Sequence, residues 1–154
     1  MANLQFNVSK GRANELVRRI KSNDPANSGL IIHLFQTTVA DSVMEDYATT
    51  AEVVAANTEA TFTGYAAKVL ADTDLADPVV DNSGNVQSFS IPSVAYGASG
   101  GATNNTLARG TVSFCPDITS VVLANCIPLT AHDLTETTDG SPLNITGGVI
   151  LTSS

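Results

Sequence analysis

The chain has 154 residues, 43% apolar and only 14% charged, where about 25% charged is usual. This length suits a single domain, expected to span 1–154, and the composition excludes a disordered chain or one that needs staples to hold a core. The net charge is -8, split between +4 in residues 1–21 and -12 in residues 22–154. So acidic a body repels nucleic acid and anionic membrane, and neither is expected as a direct partner. Ala, Thr, Ser, Asn and Gly take the place of the missing charge, and small neutral side chains pack well against other protein. No apolar run approaches the ~18 residues of a membrane-spanning helix. MANLQFNVSKGR lacks the pattern of a secretory signal, so synthesis in a cytoplasm is expected.

In chain order, LQFNVSK alternates, with Leu4, Phe6 and Val8 on one side of an extended segment. Residues 1–10 therefore read as an N-terminal arm or edge strand. After Gly11, Ala13, Leu16, Val17 and Ile20 fall at helical spacing, and Arg12, Glu15, Arg18, Arg19 and Lys21 take the other sides. This predicts a basic helix of about three turns that ends before SNDPANSG. Glu15 and Arg19 form an i, i+4 pair. LIIHLF, residues 30–35, reads as a buried strand, with His33 a satisfied core or interface histidine. Thr49 and Glu52 have the capping-box form and open one further short helix. ATFTGYAAKVL, residues 60–70, reads as a strand with a bulge or close approach at Gly64.

The remainder reads as β. PVVDNSGNVQSFSIP predicts a hairpin turning at Asn82-Ser83-Gly84. SVAYGA, LARGTVSFCPD and VVLANCIPLT are further strands, and turns at Asp139-Gly140 and Gly147-Gly148 divide the last short ones. GASGGATNN, residues 97–105, reads as a mobile surface loop and lacks the phosphate-loop pattern. The expected fold is mainly β, an antiparallel sandwich or barrel carrying the basic helix and the second short helix.

Little in the sequence points to catalysis. The imidazoles are His33 and His132, and no nucleophile motif lies near either. Asp72, Asp74 and Asp77 resemble the start of a calcium loop, but its Gly and terminal Glu are missing, which favours an exposed acidic turn. No metal or cofactor is expected. The chain has no Trp and 5% aromatic residues, which disfavours a sugar cleft built on ring platforms. Cys115 and Cys126 fit no zinc or redox spacing and, in a reducing cytoplasm, are expected to be buried free thiols.

The order of motifs resembles a family of small virion proteins of tailed bacteriophages, encoded among head genes. The stretches that carry it are FNVSKGRANELVRRI, LIIHLF, EDYATTAEVVAANTEATFTGYAAKVL, LARGTVSFCPD and IPLTAHDLTETTDGSPL. Together they cover most of the chain. The resemblance implies a non-enzymatic capsid decoration or cement protein on the outside of the head. Its partners would be the major capsid protein and copies of itself, as a homotrimer at local threefold positions. A head–tail connector, tail or fibre-attachment protein is the alternative. A cell-wall hydrolase and a host-surface binding module are the readings from other classes.

Five of the seven cations lie between residues 10 and 21: Lys10, Arg12, Arg18, Arg19 and Lys21. The helix dipole accounts for those near the C-terminus of the helix but not for Lys10 and Arg12 at the other end. The five are therefore expected to form a docking face for an acidic patch, on capsid protein or on another copy of the chain.

Overall fold

The computed structural model describes residues 3–98 and 105–153. Its largest unit is a six-stranded antiparallel sheet. It contains β1 (Asn3–Gln5), β2 (Gly29–Thr37), β3 (Thr58–Glu59), β4 (Lys68–Leu70), β8 (Arg109–Cys115) and β9 (Ile127–Asp133), in the order β1-β9-β8-β2-β3, with β4 also paired to β2. The other strands are β5 (Val79–Asp81), β6 (Val86–Ile91), β7 (Val94–Ala98), β10 (Pro142–Ile145) and β11 (Gly148–Ser153). They form a three-stranded sheet, β11-β6-β5, and a two-stranded sheet, β10-β7. The helices are α1 (Ala13–Lys21), α2 (Asp41–Met44) and α3 (Thr50–Ala56). The fold is mainly β and sandwich-like, as the alternating runs and turn residues imply.

The central strands are covered on both faces, which is why LIIHLF shows no polar alternation. All seven residues of β8 and the first seven of β2 are buried. Leu30, Ile32, Leu34, Val112 and Phe114 enter the main core, where Phe89, Tyr96, Leu143 and Leu151 of the smaller sheets meet Leu16, Val17 and Ile20 of α1. On the opposite face, Phe35 and Ala131 pack with Phe6, Met44 and Val53 under α2 and α3. Leu4 and Val8 join that second cluster, so the three alternating apolar residues of the N-terminal segment do share a destination. β1 pairs with β9 of its own chain, Leu4 opposite Ala131.

Several expectations need correction. Residues 60–67 are not a strand: only Lys68–Leu70 pairs with β2, and Gly64 sits in a turn with φ 82°. Phe62 and Tyr65 bend inward to form an aromatic cluster with Tyr96, at centroid distances of 5.3–5.9 Å. VVLAN is not the start of a strand either; Leu123–Asn125 make a short 3-10 turn, and β9 begins at Ile127. A further four-residue helix, α2, stands beside the expected α3, whose Thr49–Glu52 capping box is formed. Cys115 and Cys126 are buried as expected, but they are joined in a disulfide with Cα atoms 4.4 Å apart. The end of β8 and the residue preceding β9 converge there, so proximity in the fold decides what spacing in sequence left open. Most of the predicted mobile loop, residues 99–104, lies outside the described residues.

Candidate docking surface

α1 follows a 3-10 turn, Asn7–Ser9, and Gly11 at φ 80°. A nine-residue helix is marginal alone, so its stability comes from burying one face. Ala13, Leu16, Val17 and Ile20 provide that face, each larger aliphatic side chain contributing about 1.5–3 kcal/mol. The same spacing forces the polar residues outward. Arg12 is the N-cap and makes no side-chain cap, an unfavourable place for a cation on the dipole.

The five cations have different fates. Lys10 Nζ donates to Asn7 Oδ1 at 2.5 Å and lies 3.9 Å from Glu45. Arg19 Nε donates to the Asp24 carbonyl at 3.1 Å, closing the C-terminal end of α1. Arg19 therefore turns to Asp24 and not to Glu15. Lys21 is half-buried; its Nζ donates to the carbonyls of Asp72 (3.0 Å) and Leu75 (2.7 Å) and pairs with Asp77 at 3.4 Å. It staples the acidic turn, Asp72–Asp74 and Asp77, to the helix. Arg12 and Arg18 remain, both exposed, and neither side chain bonds or pairs with another described residue. Of the five, Arg12 and Arg18 are therefore the two left to solvent.

Arg18 opens into a groove of about 350 Å³, shared with Glu15, Arg19 and Asp24 on the helix side and Gln87 of β6 on the other. Gln87 pairs with Val80 of β5. Val79 and Val80 are 65% and 60% exposed, the largest values among the exposed large hydrophobic residues. The groove thus runs from α1 to β6, the strand that pairs with β5.

The other titratable groups serve the fold. His33 Nδ1 meets Glu59 Oε1 at 2.7 Å, and Tyr65 Oη donates to the same oxygen at 2.7 Å while accepting from the Leu34 N–H at 3.0 Å. Burial, then the bond to Glu59, pushes the Tyr65 hydroxyl far above its ordinary value. His33 is buried and partnered at Nδ1, but its buried Nε2 has no hydrogen-bond partner among the described residues, so the expected satisfied histidine is met at one nitrogen only. Arg109 bridges the central sheet and α2. Its Nε and Nη2 donate to Asp133, the former at 2.9 Å, and its Nη1 donates to Asp41 at 2.5 Å. An apolar cavity of about 260 Å³ lies between the sheets, lined in part by Val112, Tyr96 and His132. Burial keeps both the Tyr96 hydroxyl and the His132 imidazole in their neutral forms, raising the one and lowering the other. Among the described residues no three His, Cys, Asp or Glu side chains are grouped to hold a metal ion, and no helix is long and apolar enough to cross a membrane.

Compared with known proteins, the chain matches no family model, no curated protein and no solved structure.

Proposed function

We propose that the chain is a non-enzymatic structural protein of a phage virion, a decoration protein that bridges subunits on the outside of the capsid. The observation that carries this reading is the pair Arg12 and Arg18: two exposed cations whose side chains have no partner among the described residues, on a protein of net charge -8. A cation kept at an unfavourable helix end and left unpaired is explained by a partner that supplies the anion. The sequence resemblance supplies the class of partner, the major capsid protein. Many modest contacts repeated over a symmetric lattice act together, so two cations per copy suffice where one isolated contact would not. The Cys115–Cys126 disulfide supports a working life outside a reducing cytoplasm.

Two experiments test this. Arg12→Gln with Arg18→Gln should weaken attachment to capsids and flatten its salt dependence, because screened charge pairs would no longer contribute. Unchanged attachment at low salt would remove the two arginines from the interface. Quantitative mass spectrometry of purified particles should find a copy number near that of the major capsid protein. A handful of copies would favour the connector or tail reading, and absence from particles would overturn the virion role.

A further inference from the structure

The cavity of about 260 Å³ between the sheets plays no part in the docking surface. Native interiors hold few voids larger than a water molecule, so a space of this size in the core needs an occupant or a reason. Its floor is the core-facing side of the central sheet: Ile32 and Leu34 of β2, Gly110 and Val112 of β8. Gly110 sets no side chain between Leu34 and Leu134, both of which line the cavity. Its roof is the ribbon that β6 and β7 make against β11 and β10, and this ribbon breaks at the cavity. Ile91 pairs with Gly148 and Val94 with Ile145, so Pro92, Ser93, Thr146 and Gly147 belong to neither ladder. Gly147 N donates to Ser93 Oγ at 3.1 Å, which ties the two sides of the break together. Pro92, Thr146 and Gly148 are exposed and Val149 is 52% exposed, while Ile32, Leu34, Val112 and Tyr96 below them are buried. The cavity therefore runs from a mouth at the break down into the main core.

The wall specifies what fits. Its titratable groups are Tyr96, His132 and Asp133. Burial keeps the first two neutral. Asp133 is already engaged, its Oδ1 accepting from Arg109 Nη2 and, at 2.9 Å, from Arg109 Nε. Among the described residues no lysine or arginine lines the cavity. An anion would find no cation there and would stand near a carboxylate. A cation would lose its water for a carboxylate that Arg109 already neutralises. Either charge costs more to bury than an uncharged group does. An apolar cavity of about 150 Å³ accepts benzene, so 260 Å³ accepts roughly ten non-hydrogen atoms.

We propose that this cavity is a binding site for an uncharged, largely apolar small molecule of about ten non-hydrogen atoms, an alkyl or aryl compound with at most one polar group. It enters at the break in the ribbon and seats on Leu34 and Val112, with its polar group at the mouth, within reach of water. Bound there, it fills the space between the ribbon and the central sheet and stabilises the folded chain. The site does not depend on the virion role.

Calorimetric titration of the purified protein with 1-octanol, a molecule close to that size, tests it. Binding should saturate at one molecule per chain, and octanoate, the same chain ending in a carboxylate, should bind about tenfold more weakly or worse. Val112→Phe places a ring in the cavity and should weaken 1-octanol by about tenfold or more. Because extra volume in a core can destabilise it, Val149→Trp at the exposed mouth provides a second block that leaves the core intact, and it should weaken 1-octanol as well. Val69→Trp, exposed on β4, should bind as the wild type does. Circular dichroism follows the fold of each variant, and if Val112→Phe does not fold, Val149→Trp decides. No saturable binding of 1-octanol up to its solubility, octanoate bound as tightly as 1-octanol, or wild-type affinity in the folded blocking variants would each overturn the proposal. No capsid is present, so failure here is distinct from failure of the virion reading.

Discussion

His132 lines the cavity between the sheets, with Nε2 2.9 Å from Thr130 Oγ1. Burial lowers its pKa from the ordinary 6.5; Asp133 opposes this shift and Arg109 adds to it. The unfolded chain therefore takes up this proton at a higher pH than the folded chain does. The associated stability is fully present above about pH 6.5 and is lost as pH falls below that value. Urea unfolding should show stability declining as pH falls below about 6.5, and His132→Gln should remove that part of the slope. An identical slope in the variant would assign it to other groups. Gly147 carries a different constraint. A Cβ there would stand 2.2 Å from the Ile91 carbonyl oxygen and 2.3 Å from the Pro92 carbonyl carbon, both backbone atoms that cannot yield cheaply. Gly147→Ala should cost about 2–4 kcal/mol in chemical denaturation. Gly148→Ala, whose Cβ would meet nothing within 4 Å, should cost far less.

At the level of elements, the Cys115–Cys126 bridge does the work of a missing strand. Residues 116–126 leave β8 and return to β9 with Val121 and Val122 exposed, held by Asp117 accepting from Thr119 N and Ser120 N. Closing a loop of this length stabilises the fold by about 3 kcal/mol in the chain-entropy model. Reduction, or Cys115→Ser with Cys126→Ser, should lower stability by about 2–3 kcal/mol. A loss near zero would mean that Ile31, Ala67, Ile118 and Leu123, which pack around the bridge, hold the loop without it. α1, α3 and the β5–β6 hairpin were legible because each rests on a local rule: helical spacing, a capping box and a turn sequence. Residues 60–67 misled because Phe62 and Tyr65 look like strand residues, yet their partner is Tyr96, about thirty positions away.

Across the whole molecule, charge is sorted along the chain and then partly cancelled in space. The N-terminal cations fold back on the acidic body through Lys21 and, at the surface, through Lys10. Arg12 and Arg18 are the remainder of that sorting, and Arg18 shares its groove with Gln87 of β6. Sequence alone determined the class of fold, the amphipathic helix and the clustering of cations on it, because apolar periodicity and charge placement are local properties of a chain. It could not determine which cations stay free, which cysteines meet or which strand forms an open edge. Those depend on tertiary contacts: Lys21 with Leu75, β8 with β9, and β11 with β6 on the side away from β5. Only the closed fold brings such partners together, and only then does an unpaired arginine differ from a paired one.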